Sequence, residues 1–179
     1  NISVIEGLNR RRKDLRAVNL NNFNVSVEDA DSLILQRRGN LWERFTTPDV
    51  LVRLGGIDAP ETAGHIGEPI DFLRINQAQP GGQDSTQELR NLISQQASLS
   101  LIVSTKGQTY GRYVGAVIGD NGTNLNLELA RRGAVSALPF GSAREEVVSR
   151  AEVATAELTA INNNIGINQK ARYKATRVI

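Results

Sequence analysis

The stretch from Val52 to Thr62 reads Val-Arg-Leu-Gly-Gly-Ile-Asp-Ala-Pro-Glu-Thr, and the chemistry of the chain is concentrated there. An apolar, β-favouring run carries Arg53, is interrupted by a glycine pair and ends at a proline, which cannot donate to a sheet. Asp58 and Glu61 therefore stand at the end of a strand. Carboxylates and a guanidinium in one small volume are typical of a metal-and-phosphate site. A strand that ends in a Pro-Glu turn with an exposed ion pair is the alternative interpretation.

The composition limits the kinds of metal and partner. The chain has 179 residues, one histidine (His65) and no cysteine, a length that fits one domain with a sizeable core. Any metal is therefore expected to be held by oxygen, which favours calcium, magnesium or manganese, and His65 is expected to be incidental rather than a ligand. No run approaches eighteen apolar residues, so we expect no transmembrane helix and no membrane partner.

The chain contains no methionine, so we expect that residue 1 is not a translation start. We expect a processed product or a part of a larger polypeptide or assembly. A compact chain without cysteine tolerates both oxidising and reducing surroundings, which leaves the compartment open, and secretion or association with a particle is one expectation.

Basic residues crowd both ends of the chain, although the net charge of +2 is too small to indicate nucleic-acid binding by itself. We therefore divide the chain into a basic N-terminal extension (1–22), a central domain (23–168) and a basic C-terminal tail (169–179). Such clusters attract polyanions by counterion release. Solvated ends that keep the protein soluble are the alternative. The residues are Arg10, Arg11, Arg12, Lys13 and Arg16, then Lys170, Arg172, Lys174 and Arg177.

The hydrophobic pattern predicts strands in two groups, separated by a helix. Strands are predicted over residues 23–27, 33–35, 50–54, 99–103 and 110–118, with a turn at 106–108. Residues 41–45 are expected to extend or close the ribbon that the first two strands form. The segment from 63 to 82 has no periodicity and is predicted to be a surface loop near the site.

Three helices complete the pattern. Ser85 and Glu88 have the spacing of a capping box, which predicts a helix from Thr86 to Gln96. Asn124 is expected to cap a short second helix that Gly133 ends. Ser142 is expected to cap a long third helix, whose buried face would consist of Val147, Ala151, Ala154, Leu158 and Ile161. Strands, helix, strands and two helices indicate an α+β fold built on a small closed barrel.

Three separated motifs resemble the staphylococcal nuclease (thermonuclease-like) family. They are Asp29-Ala30-Asp31-Ser32 after a strand, the stretch from Arg53 to Thr62, and Tyr110-Gly111-Arg112. The resemblance extends over residues 23–167 and includes the second and third predicted helices. It implies a five-stranded Greek-key OB-type β-barrel with three α-helices.

The resemblance also implies a calcium-dependent endonuclease that hydrolyses DNA and RNA, with a preference for single strands. Cleavage at the 5′-side P–O bond would leave a 3′-phosphate. Calcium would be bound by the side chains of Asp31 and Asp58 and by the backbone carbonyl of Ala59. Glu61 would orient or deprotonate the attacking water, and Arg53 and Arg112 would hold the scissile phosphate. Tyr110 and Phe140 would contact the nucleic acid.

Several positions depart from the family pattern. Ala30 stands where the family has glycine, and an alanine at positive φ would carry a strain of roughly 1 kcal/mol. Ser32 replaces a threonine, and Thr109 replaces a lysine, which removes one phosphate contact. Phe140 substitutes for tyrosines as a stacking face. Asn168 stands where the family often has a tryptophan after the terminal Ile-Gly-Ile, here residues 165–167. These changes imply that the substrate binds more weakly or in a different place.

The role of Asp29 and the function of the whole domain each have two interpretations. Asp29 either assists the metal through its ligands or caps its own turn. The whole domain, as an alternative to a nuclease, is a non-catalytic nucleic-acid-binding or assembly module derived from the same fold. The complete set of acids and arginines favours the nuclease.

Overall fold

The computed structural model describes residues 15–62, 80–109, 112–138 and 147–169, with the backbone alone for residue 44 and residues 105–109. The predictions made for His65, Tyr110, Phe140 and Ser142 lie outside these residues, as do most of the two basic ends and of the loop from 63 to 82.

The described chain contains eight strands, four α-helices and two short 3₁₀ turns. In chain order they are β1 (Leu15–Asn19), a 3₁₀ turn (Leu20–Asn22), β2 (Phe23–Asp29), β3 (Ser32–Arg37), α1 (Leu41–Thr46), β4 (Val50–Leu54), β5 (Ile57–Asp58), α2 (Gly82–Ser94), β6 (Ser100–Thr109), β7 (Arg112–Ile118), α3 (Leu125–Arg131), β8 (Ser136–Ala137), α4 (Arg150–Asn162) and a final 3₁₀ turn (Gly166–Asn168). The predicted α+β class is confirmed. None of these helices is both long and apolar enough to cross a membrane.

Six strands form one sheet in the order β1-β6-β7-β4-β3-β2, and β5 pairs with β8 in a separate ribbon. The pairs within the six-stranded sheet are antiparallel except β4 with β7, which is parallel. The strand count therefore differs from the predicted five. Within the described residues the sheet is also open, because β1 and β2 are its two edges and do not pair with each other.

The connection between β1 and β2 nevertheless requires a strongly curled sheet. Five inter-strand spacings of about 4.8 Å would put the edges of a flat sheet roughly 24 Å apart. The four residue steps from Asn19 to Phe23 span at most about 14 Å. The edges must therefore bend towards each other, and the sheet is an open, barrel-like curl rather than a flat layer.

The sheet begins earlier than the sequence indicated. Leu15–Asn19 was assigned to the basic extension, yet it pairs antiparallel with Ser100–Ser104 of β6, and both Leu15 and Leu20 are buried. The partner strand lies about eighty residues further along the chain, so no local pattern marks this segment as a strand. Strand β6, between β1 and β7, continues through the turn predicted at 106–108, and its pairing with β7 shifts register between Val103 and Gln108.

The segment predicted to extend the ribbon at residues 41–45 is instead helix α1. The side chain of Asn40 caps it by accepting a hydrogen bond from the backbone N–H of Glu43 at 2.9 Å. The Thr46 hydroxyl donates to the carbonyl of Trp42 at 3.0 Å. Leu41 and Phe45 are one helical turn apart, which is the helical signal that the strand interpretation overlooked.

Helix α2 begins at Gly82, four residues before the predicted start, so the capping-box prediction is wrong. Gly81, in the left-handed conformation at φ 89°, occupies the N-cap position. Ser85 lies within the first turn, where its buried hydroxyl has no hydrogen-bond partner in the described residues. The cap of α3 is confirmed, because Asn124 accepts from the N–H of Leu127 and Gly133 follows the helix at φ 65°.

Helix α4 buries a different face from the predicted one. Ser149 caps it, and its buried residues are Val153, Ala156 and Ala160. Val147 is buried but precedes the helix, whereas Ala151, Ala154, Leu158 and Ile161 are exposed. Apolar residues occur all round this helix, so periodicity offered more than one face. The face rich in small residues packs against the rest of the fold.

The main core lies between the curled sheet and helices α2, α3 and α4. Its largest fully buried side chains include Leu33, Leu54, Ile57, Leu89, Leu125, Leu129 and Val153. Asn126 of α3 is also completely buried. Its amide donates to the carbonyls of Gly55 at 3.0 Å and Gly115 at 3.1 Å, and its oxygen accepts from the N–H of Val117 at 3.2 Å. Asn126 therefore ties the turn after β4 to strand β7.

We expect Asn126→Ala to lower the free energy of unfolding by about 2–4 kcal/mol, because it leaves buried backbone groups without their partner. Urea denaturation followed by circular dichroism measures the change. Gln87→Ala, at an exposed position of α2, is the control and should change stability by less than about 0.5 kcal/mol. Equal stability of the two variants would show that the amide contacts contribute little.

Candidate active site

The turn between β2 and β3 forms one side of the candidate site. Ser32, the first residue of β3, lies opposite Arg53 of β4, and the N–H of Leu54 donates to the carbonyl of Asp31 at 2.7 Å. Ala30 is fully buried. Its φ is not positive, since Asn164 is the one non-glycine residue with positive φ in the described chain. The strain considered for alanine at this position is therefore absent.

Asp31 is held by three donors in a buried position. Its Oδ2 accepts from the N–H of Ala59 at 2.7 Å and pairs with Nη1 of Arg53 at 2.5 Å. Its Oδ1 accepts from the hydroxyl of Ser32 at 3.0 Å. Burial raises the pKa of this carboxyl above its ordinary value, against the opposing effects of Arg53, the Ala59 N–H and the Ser32 hydroxyl. The ionised form of Asp31 is thus costly and depends on these partners.

Arg53 bridges the two acids that the sequence singled out. Its Nη1 contacts Asp31, and its Nη2 lies 2.8 Å from Oδ1 of Asp58, whose side chain is 54% exposed. Burial disfavours the charged guanidinium, but Asp31 and Asp58 together raise the pKa of Arg53 above its ordinary value. Arg53 therefore remains a fixed cation, held in place from two sides at the mouth of the sheet.

Arg112 reaches the same turn from strand β7. Its Nη1 donates to the hydroxyl of Ser32 at 3.4 Å, while that hydroxyl itself donates to Asp31. Ser32 thus links the second arginine to the acids. Sequence reasoning treated Ser32 only as a mild replacement for threonine, and its position next to Asp31 in the motif was the signal that could have identified this linking role.

Asp29 and Thr62 connect the turn to the segment after β5. The hydroxyl of Thr62 donates to Oδ1 of the buried Asp29 at 2.5 Å. Two roles were expected for Asp29: a cap on its own turn, or support for a calcium ligand. The contact with Thr62 serves neither role. Asp29 therefore fixes the residue that immediately follows Glu61.

Glu61 is exposed, and its backbone lies against the first turn of α2. A methyl group on Gly82 would lie 2.5 Å from the carbonyl oxygen of Glu61 and 3.1 Å from that of Pro60. Both are backbone atoms, which cannot move aside as the end of a flexible side chain can. The absence of a side chain at Gly82 therefore permits the approach that sets the position of Glu61.

We expect Gly82→Ala to displace the Glu61 backbone and to lower any activity that depends on this residue by about 100-fold, the typical effect of a 1 Å misplacement. The measurement is the single-turnover rate of nucleic-acid cleavage, with circular dichroism as the test of folding. Gly119→Ala is the matched control, because the nearest atoms there all belong to the flexible side chain of Gln96. Similar rates for both variants would contradict the positioning role.

The donor set suits a hard cation held by few protein ligands. No group of three histidine, cysteine, aspartate or glutamate side chains is close enough to hold a metal in the described ranges. Asp31 and Asp58 provide two carboxylates, and the Asp31–Ala59 hydrogen bond brings the backbone of Ala59 beside them. Oxygen donors of this kind, completed by water, are what calcium or magnesium accepts. The residues therefore fit such an ion, with water completing its coordination sphere.

A curled β-sheet packed against helices, with two acids and two arginines at one end, is consistent with an OB-like fold. The family model for the staphylococcal nuclease homologue matches residues 51–169, about two thirds of the chain, and the protein belongs to that family. Membership associates the domain with nucleic-acid binding or hydrolysis. The matched segment contains Arg53, Asp58, Glu61 and Arg112 and begins after Asp31. No curated protein sequence matches the chain.

Proposed function

We propose that this protein is a calcium-dependent endonuclease that hydrolyses phosphodiester bonds in DNA and RNA and leaves 3′-phosphates. The observation that carries the proposal is the position of Arg53 between Asp31 and Asp58 in a member of this family. A pair of acids and a fixed guanidinium at one sheet end are the groups that phosphodiester hydrolysis needs.

The cation would be held by the side chains of Asp31 and Asp58 and by the backbone carbonyl of Ala59. When bound, it would neutralise charge on the phosphate. The contacts of Arg53 use Oδ2 of Asp31 and Oδ1 of Asp58. Each carboxylate has a second oxygen that Arg53 does not contact. That of Asp31 accepts from the Ser32 hydroxyl, but a carboxylate oxygen accepts more than one partner. The ion pairs with Arg53 are therefore compatible with a role for both acids as ligands.

Glu61 is proposed to orient the attacking water and to accept its proton. It is exposed to solvent, where a carboxylate oxygen can contact a water molecule and accept its proton. The Gly82 and Asp29–Thr62 contacts fix the backbone on both sides of Glu61. This support limits the positions that its carboxylate can reach.

The two arginines are proposed to bind the scissile phosphate. A guanidinium offers five donors in a planar fork, so Arg53 can keep its contacts with the acids and still donate to a phosphate oxygen. Because Asp31 and Asp58 already fix its orientation, little reorganisation is needed when negative charge develops. Arg112, held through Ser32, would act from the side of β7. Tyr110 and Phe140 keep their proposed contacts with the nucleic acid.

A non-catalytic nucleic-acid-binding or assembly module is the second candidate, and one observation favours it. In the described part of the chain, the acids form no cluster of three, and both aspartates that are expected to bind calcium pair with Arg53. A domain of this kind would use its arginines for binding alone. It would bind nucleic acid without any requirement for a cation.

Cleavage of a labelled single-stranded oligonucleotide with calcium or with EDTA separates the two candidates. We expect cutting with calcium, loss of cutting with EDTA, and fragments whose 3′ ends a phosphatase converts to hydroxyls. A parallel reaction on RNA tests whether both sugars are accepted. A parallel reaction on a duplex tests the expected preference for single strands. Binding that EDTA does not change, without cleavage, would support the binding module and overturn the nuclease.

A further inference from the structure

Helix α1 presents three large apolar side chains to solvent. Leu41 is 71% exposed, Trp42 77% and Phe45 85%. An isolated helix of six residues is marginal in water, and this one depends on its Asn40 cap and on the Thr46 hydroxyl rather than on burial. The apolar side chains therefore contribute little to folding. Grouped apolar side chains that do not serve the core mark an interaction surface.

A cleft of about 260 Å³ lies beside this helix, between the end of β3 and the start of β4. Two of its lining residues, Leu41 and Phe45, are apolar, and the others carry hydrogen-bonding groups: Gln36, Arg37, Thr47 and Asp49. The flat ring of Phe45, with Leu41 beside it and hydrogen-bonding groups in the rest of the lining, suits a planar ring with polar edges. A lipid chain suits the cleft poorly, because it would place the charges of Arg37 and of Asp49, which accepts from the Gln36 amide at 3.3 Å, against hydrocarbon.

Charge and position point to a nucleic acid as the source of that ring. Arg37 and Arg38 are exposed at the end of β3, next to the cleft, where they can contact phosphates. The six residues of β3 lead from this end to Ser32 at the candidate active site, a distance of roughly 17 Å. Strand β4 likewise begins beside the cleft and carries Arg53. One hairpin thus connects both places, and a strand of several nucleotides could contact them together.

We propose that α1 and the adjoining cleft, here called the α1 site, bind single-stranded nucleic acid by stacking bases on Trp42 and Phe45. The α1 site rests on the nucleic-acid-binding part of the proposed function and not on cleavage. Stacking suits unpaired bases, because their faces are accessible and every base has one. Arg37 and Arg38 add contacts to the backbone. The α1 site therefore selects single strands over duplexes and longer strands over short ones.

Trp42 is the one tryptophan of the whole chain, so its fluorescence reports on the α1 site alone. The experiment titrates a twelve-nucleotide single strand into the protein in EDTA, where cleavage is not needed. We expect quenching of Trp42 and reduced access of acrylamide to it. An abasic strand of the same length, with phosphates but no bases, should quench little. Equal quenching by the abasic strand, or none by either strand, would overturn the proposal.

Phe45→Ala keeps the reporter and removes one stacking surface. We expect it to weaken binding of the single strand about fivefold or more, the lower end of the effect of losing one base–aromatic contact. Leu158→Ala, at another exposed apolar position, is the matched control and should leave affinity unchanged. Equal affinities of the two variants would contradict the α1 site.

Two further fluorescence measurements test whether a membrane or a second copy of the chain binds this surface instead. A blue shift of Trp42 on mixing with anionic phosphatidylserine vesicles, without a response to the single strand, would assign the surface to a membrane. A shift that depends on protein concentration alone would assign it to a second copy of the chain. Either result would overturn the proposal. Because no arm uses catalysis, a protein that binds at α1 but does not cut would refute the nuclease proposal and leave the α1 site intact.

Discussion

Glu61→Gln is expected to lower the single-turnover rate of nucleic-acid cleavage by about 10²–10⁴-fold, the usual contribution of a general base. The amide has the shape of the carboxylate, but it does not accept a proton from water. Glu61 is exposed, so the exchange should change the free energy of unfolding by less than about 0.5 kcal/mol. The rate is measured with calcium and a labelled single strand, and thermal unfolding reports on stability.

Glu157→Gln on helix α4 is the matched control for this variant, because it removes the same charge from a residue that is not among the candidate site residues. Its cleavage rate should equal that of the unmodified protein. A Glu61→Gln variant that still cuts within about threefold of the normal rate would exclude Glu61 as the base. Attention would then turn to the remaining acids of the site, Asp31 and Asp58.

Arg53→Gln is expected to reduce cleavage by about 10³-fold or more, since it removes a guanidinium proposed to stabilise the charge of the reacting phosphate. It should also lower the free energy of unfolding by about 3 kcal/mol at pH 8, because Asp31 loses its charged partner in a buried position. The same substitution therefore tests a catalytic and a structural contribution.

The stability loss in Arg53→Gln should depend on pH with a defined sign. Burial already raises the pKa of Asp31, and Arg53 opposes that effect, so the pKa of Asp31 should rise further in the variant. The penalty for ionising Asp31 is absent below its unfolded pKa and grows as the pH rises through its folded pKa. The difference in stability from the unmodified protein should therefore shrink on acidification. Urea denaturation across pH 4 to 8 measures it.

Arg131→Gln provides the control for both readouts. Arg131 is an exposed arginine in an ion pair with Glu128, three residues earlier on the same helix. Its replacement should leave cleavage unchanged and alter stability by less than about 0.5 kcal/mol at every pH. A stability loss in Arg53→Gln that stays constant with pH would show that the buried charge of Asp31 is not its cause.

Local signals in the sequence were sufficient for the parts of the fold that local interactions determine. The glycine pair and the proline of the Val52–Thr62 stretch mark the ends of β4 and β5, which places Arg53 and Asp58 at one strand end. Asn124 is a cap because a side-chain acceptor before an apolar run satisfies free N–H groups. These residues and their neighbours on the chain carry the whole signal.

Other features depend on parts of the chain that are distant in sequence. The pairing of Leu15–Asn19 with β6 and the contact of Arg112 with Ser32 join residues about eighty positions apart. Helix α1 was missed for another reason: Leu41 and Phe45 have helical spacing, but these side chains and Trp42 are all exposed and form no buried face. The roles of Glu61, Tyr110 and Phe140 stay predictions that the experiments above address.

The two edges of the sheet have consequences for the order in which the protein folds during synthesis. Strands β2, β3 and β4 pair with their neighbours in the chain and are able to form a ribbon as soon as they leave the ribosome. Strand β1 is made before them, yet its one partner, β6, follows about eighty residues later. At about 5–20 residues per second, β1 waits for roughly 4–16 seconds with its backbone unpaired. The sheet therefore gains its β1 edge only after β6 has been made, so the first segment of the sheet to be synthesised is among the last to be paired.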